Sequence, residues 1–154
     1  PHDETIGRRL DRWAFWQKVK KLPSALIDRP VKPFEDTLPA AYRAMTQVLR
    51  EKHFDATGII CLIETAALGA IRALHDEGRI VGEHVSVCAM AESQRCKFYV
   101  PSLTSIEMPD PVPYLEACLD WLAHRNTTRW TGPLLVQPAT ISVFEGETTA
   151  APRR

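Results

Sequence analysis

The chain has 154 residues, 45% of them apolar and 25% charged, with 19 basic and 19 acidic side chains. That composition supports one globular domain or large subdomain and argues against disorder. Zero net charge leaves no electrostatic footprint for nucleic acid, and no apolar run reaches the roughly 18–20 residues of a membrane-spanning helix. The N-terminal PHDETIGRR has no apolar core and is not a secretory signal.

A helix is predicted over Thr5–Lys20, with Ile6, Leu10, Trp13 and Gln17 on one face and Phe15, Trp16 and Val19 beside it. Arg8, Arg9, Arg12, Lys18, Lys20 and Lys21 crowd this helix, and a solvated basic face is the plain reading of them. Pro23 ends it, Ser24–Ile27 reads as a short strand, and Asp28–Pro33 as a loop punctuated by prolines. Thr37–Lys52 carries the cleanest helical stripe: Leu38, Ala41, Tyr42, Met45, Val48 and Leu49.

Ile59–Ile63 is an unbroken apolar run of strand length, as expected of a strand covered on both faces. A helix opens at Glu64 with Ala67, Leu68, Ile71 and Leu74 on one side, and Gly78 stops it. Val85–Met90 is a second buried run. Strand, helix and strand in about thirty residues predict a βαβ unit and therefore a parallel sheet. Ligand recognition is then expected at the strand ends, near Ile63–Glu64 and Ala91–Glu92.

Beyond Met90, Ala91–Arg95 is mostly polar, Lys97–Val100 is strand-like, and Leu103–Ile106 is extended. Asp110-Pro111 opens a helix that runs to about His124, with Val112, Leu115, Leu119 and Leu122 on one face. Leu134–Val136 and Thr140–Phe144 are two late strands, and Gly146–Arg154 reads as a frayed tail.

Catalytic and nucleotide-binding signatures are missing: no G-x-S-x-G, Walker A loop, H-E-x-x-H or G-x-G-x-x-G occurs. The five histidines have no ligand spacing, so no metal and no cofactor are expected. Cys61, Cys88, Cys96 and Cys118 show no C-x-x-C spacing and read as small core hydrophobes, in keeping with a reducing cytoplasm. Glu64, at a strand-to-helix junction, reads as an acid favouring the helix N-terminus more readily than as a general base. An enzyme is therefore not expected, and a binding protein is.

The run Glu64–Val87, ETAALGAIRALHDEGRIVGEHVSV, together with Pro101–Ile106, PSLTSI, resembles the lactose-repressor/galactose-repressor family of bacterial transcription regulators. Arg9-Leu10-Asp11-Arg12-Trp13 is similar to the family's R-x-x-G-(F/W) helix start, with Arg12 in place of the glycine, and Gln137–Pro152 resembles its terminal strand and tail. The resemblance implies a periplasmic-binding-protein-like type I fold: α/β, with a parallel doubly wound sheet. It implies that residues 1–108 form the C-terminal subdomain of an effector-binding core, that residues 109–130 carry a helix crossing to the N-terminal subdomain, that residues 131–145 return, and that 146–154 are the tail. A first strand is then expected before Pro1, along with a hinge helix and an N-terminal helix-turn-helix for operator DNA.

Carried over residue by residue, the resemblance puts Arg9 on the family's effector-gripping arginine. Asp3 and Thr5 fall on upstream pocket positions, and Phe34 or Asp36 near the aromatic pocket residue. Ile63 stands where a polar strand-end residue is usual, and Ala91, followed by Glu92, replaces the effector-binding aspartate, so a simple hexose loses two partners. Ala67, Leu68 and Ile71, with Tyr99 in the segment Cys96–Pro101, fall on the family's homodimer interface. The implied protein is a cytoplasmic, ligand-responsive repressor or activator with a small-molecule effector. An extracytoplasmic sugar- or solute-binding protein of the same fold is the alternative.

Overall fold

The computed structural model describes residues 4–29, 32, 34–51, 54–90, 93–107, 110–124, 134–135 and 141–151. In chain order the elements are α1 (Glu4–Lys20), α2 (Thr37–Arg50), β1 (Gly58–Cys61), α3 (Glu64–Asp76), β2 (Ser86–Met90), α4 (Ser93–Cys96), β3 (Thr104–Glu107), α5 (Val112–His124) and β4 (Ser142–Phe144). The strands form one sheet in the order β1-β2-β3-β4. β1 and β2 are parallel with Ile59 opposite Val87, β2 and β3 are parallel with Ala89 opposite Ser105, and β4 runs antiparallel to β3. The β1-β2-β3 part of the sheet is parallel, as expected, and β4 adds one antiparallel strand that makes the whole sheet mixed. β4 takes the outer edge of β3, and an antiparallel edge strand on an otherwise parallel sheet is common.

The core lies on one face of this sheet. Val87 and Ala89 of β2 and Cys61 of β1 turn toward α3, which answers with Ala67, Ala70, Ala73 and Leu74, all buried. Small side chains on α3 let it lie close both to the sheet and to α2. A Cβ on Gly69 would strike the Leu38 carbonyl oxygen and stand 2.8 Å from the Tyr42 nitrogen, so glycine is required at this crossing. α2 presents the expected stripe, with Met45 buried deepest. At its far end α3 stops in a Schellman turn. Gly78 sits at φ 70°, its N–H donates to the His75 carbonyl at 3.0 Å, and the Arg79 N–H donates to that of Leu74 at 2.8 Å. Burial pushes the Cys61 thiol up to about 12, as befits an inert core cysteine.

Three expectations are corrected. Residues 24–27 form no strand but an exposed stretch without regular structure, and they pair with none of the four strands of the sheet. Lys97–Val100 is a turn rather than a strand. The described part of the tail, residues 146–150, is pinned rather than frayed. Thr148 is fully buried, its carbonyl accepts from the Val87 N–H at 2.8 Å, its N–H donates to the Ser102 carbonyl at 3.1 Å, and its Oγ1 accepts from the Thr104 N–H at 2.9 Å. Residues 136–140 lie outside the described set, so the strand expected at Leu134–Val136 is described only for 134–135, which are irregular. α5 has its N-terminus capped by Asp110, which accepts from the Val112 N–H at 3.0 Å, and its apolar stripe is exposed.

Candidate functional site

Parallel strands β1 and β2 end on the same edge of the sheet, and the chain leaves β1 through Leu62 and Ile63 into α3. Ile63 is the N-cap of α3 in an extended conformation, with φ −144° and ψ 156°, and supplies no side-chain cap; its apolar side chain is exposed. Arg9 reaches this edge from α1. Its Nη1 donates to the Leu62 carbonyl at 3.4 Å, a long contact, and among the described residues no carboxylate pairs with its half-buried guanidinium. The strand end therefore brings a planar cation beside an apolar side chain.

Glu64, one residue on, is directed elsewhere. Its carboxylate accepts from the Tyr99 hydroxyl and lies 3.9 Å from Arg95 Nε, with only 15% of its side chain exposed. The hydrogen bond to Glu64, and after it burial, holds the Tyr99 phenol above its ordinary range. Neither sequence reading of Glu64 captures this role. The two partners are 35 residues apart, and no local pattern signals such a pair. Thus Tyr99 points its hydroxyl inward, while its neighbours Phe98 and Val100 are almost fully exposed.

The other expected site residues divide. Thr5 lies in the first turn of α1. Asp3, Ala91 and Glu92 lie outside the described residues. Asp36 is the N-cap of α2, its Oδ1 accepting from the Leu38 N–H at 3.0 Å, so this oxygen has a structural task. Ala67 is corrected as an interface residue, because it is 0% exposed within a single chain, covered by the core, and has no surface left for a partner. Leu68 and Ile71 are half-buried and keep some.

A solvent-open groove of about 500 Å³ runs along α2 between Tyr42 and Glu51, away from the strand ends. Its arginines are already neutralised, Arg43 by Glu35 at 2.7 Å and Arg50 by Glu77 at 2.8 Å. Among the described residues no three acidic, histidine or cysteine side chains gather as metal ligands.

Residues 1–140 match the family model of the periplasmic binding protein-like domain. The chain belongs to that family. Within the periplasmic binding protein-like family, its recognisable relatives are lactose-repressor-type regulators. It is 33% identical over 69 residues to the HTH-type transcriptional regulator MalR of Clostridium butyricum, a stretch covering 45% of this chain and 20% of MalR. It is 32% identical over 84 residues to the HTH-type transcriptional repressor PurR of Haemophilus influenzae, covering 54% of this chain and 23% of PurR. A dimeric Lac repressor with an 11-residue C-terminal deletion superposes with a TM-score of 0.72 at 22% identity, over 94% of this chain and 50% of that one. A LacI-family regulator from Enterococcus faecium with bound ribose gives 0.69 at 21% identity, over 96% of this chain and 52% of that one. The chain thus spans about half the length of these solved relatives and carries the α/β fold they share.

Proposed function

We propose that this chain is the effector-binding and dimerisation portion of a ligand-responsive transcription regulator that acts in the cytoplasm as a homodimer and binds operator DNA through a separate helix-turn-helix. The observation that carries this reading is Arg9, a half-buried guanidinium that reaches the C-terminal end of β1 and has no carboxylate partner among the described residues, at a place where open α/β sheets bind ligands. Arg9 offers a two-pronged donor to a carbonyl or carboxylate. Ile63 offers an apolar wall, and a sugar hydroxyl buried against it costs about 1–3 kcal/mol. The effector that suits both is a small carbonyl- or carboxylate-bearing molecule with an apolar body, in contrast to the ribose in the Enterococcus faecium regulator. The exposed stripe of α5 fits a helix that crosses to the other subdomain of the core, and the named relatives, being regulators, favour this role over a solute carrier.

The test is a thermal-shift screen of the full-length protein against sugars and small apolar carboxylates. A ligand at a hundred times its Kd adds about 2.7 kcal/mol to stability, enough to read as a shift of several degrees. Carboxylates are expected to shift the melting point, and Arg9→Ala to abolish the shift while leaving operator binding intact. A shift retained in Arg9→Ala would refute the assignment.

A further inference from the structure

The outward face of α1 lies away from the side that carries Ile6, Leu10 and Trp13, and it is unlike an ordinary solvated helix face. Ile6, Leu10 and Trp13 are half-buried on the inward side. On the outward side Phe15, Trp16 and Val19 are 49%, 50% and 52% exposed, and Leu22 continues the strip at 60%. Phe15 and Trp16 meet edge to face with centroids 5.6 Å apart. The Arg12 guanidinium lies over the Phe15 ring and the Lys20 ammonium over the Trp16 ring, each at 5.6 Å. From Arg12 to Lys21 the chain has four cations and no acid.

We propose that this face is a docking strip for an amphipathic, acidic helical segment of a partner protein. Arg12 and Lys20 are eight residues apart, so they bracket an apolar strip about 12 Å long. Two carboxylates separated by that span, with leucine- or phenylalanine-type side chains between them, complement it in both charge and polarity. The rings and the stacked cations are held by one another before binding, so little side-chain freedom remains to be lost on docking. A polyanionic surface suits the strip less well. The chain's net charge is zero, which supplies no long-range attraction to a nucleic acid or an anionic bilayer.

The experiment follows the fluorescence anisotropy of a labelled synthetic helical peptide, repeating Glu-Leu-Leu-Ala-Leu-Leu-Ala-Glu, titrated with the full chain. Parallel arms use a scrambled peptide, phosphatidylserine vesicles and duplex DNA. Saturable binding of the ordered peptide is expected, weakened at least about tenfold by Phe15→Ser with Trp16→Ser. Arg12→Glu with Lys20→Glu is expected to abolish it, and a peptide with lysine in place of glutamate to restore it to that variant. The rescue separates recognition from folding, because a misfolded helix gains nothing from a reversed peptide. Absence of saturable binding, equal binding of the scrambled peptide, or tighter binding of vesicles or DNA would each overturn the proposal.

Discussion

Glu64 and Tyr99 illustrate how a single residue's role is set by what it touches rather than by its neighbours in sequence. An acid in the first turn of a helix is favoured by the helix dipole in any fold. Here the same carboxylate also receives the Tyr99 hydroxyl and faces Arg95, which ties the start of α3 to the turn ahead of β3. Because the Tyr99 phenol is held above its ordinary range, the contact adds stability below the range where tyrosine normally ionises. That stability is lost as pH rises through the raised folded value. Denaturant unfolding between neutral and strongly alkaline pH is expected to show this loss in the native chain and to show it reduced in Tyr99→Phe. An identical alkaline profile in the two proteins would remove the contact from the account. Arg9 sits near this junction, since the carbonyl it contacts, Leu62, is two residues before Glu64.

At the scale of elements, the α2–α3 crossing holds the helical layer together. Its closeness depends on Gly69 against the backbone of Leu38 and Tyr42, and the acid and base groups around its rim add links at the far end. There Asp76 accepts from the Tyr42 hydroxyl at 3.0 Å and pairs with Arg72 at 3.0 Å. Gly69→Ala is expected to force the helices apart and to lower stability by about 1–3 kcal/mol in urea titration, although alanine is the better helix former. A neutral or stabilising result would show that the crossing has slack. The tail is a second such element. Glu147 accepts from the Ser102 N–H at 2.8 Å and from its hydroxyl at 3.1 Å, and these bonds lower its carboxyl below the ordinary value. A lowered acid contributes stability above its unfolded value and loses it as pH falls through the folded one. Exchange protection of the Val87 amide, which donates to the neighbouring Thr148 carbonyl, is therefore expected to fall on acidification. Glu147→Gln is expected to flatten that dependence, and protection indifferent to both would rule the clasp out.

At the scale of the molecule, β1 is a sheet edge on which Ile60 is 71% exposed, and α5 displays a row of exposed apolar side chains. An open strand edge and an exposed apolar helix face are surfaces on which another element or chain can pack, and the chain spans about half the length of its solved relatives. The proposed subunit surface is narrower than the resemblance implies. Ala67 is lost from it, Leu68 and Ile71 retain some surface, and Tyr99 is anchored inward between the exposed Phe98 and Val100. Leu68→Glu in the full-length protein is expected to shift the assembly toward monomer in sedimentation velocity by placing a charge in a dehydrated contact. A dimer of unchanged strength would move the interface elsewhere.

The sequence by itself determined the βαβ unit and its helices. Their signals are local: the apolar run at Ile59, the 3.6-residue stripes of α2 and α3, the Gly78 stop and the Asp110 cap each lie within a few residues of what they specify. It also determined the family, because the α3-to-β2 stretch combines those signals in one order. Tertiary structure alone decided the antiparallel return of β4, the failure of residues 24–27 to become a strand, the burial of Thr148, the structural task of Asp36, and the pairing of Glu64 with Tyr99. Strand direction and strand existence depend on which neighbour is available to hydrogen-bond. Side-chain pairs 35 or more residues apart leave no periodicity in the chain. That physical difference explains why the fold was legible from local pattern, whereas the reach of Arg9 to the Leu62 carbonyl and the engagement of Glu64 by Tyr99 were not.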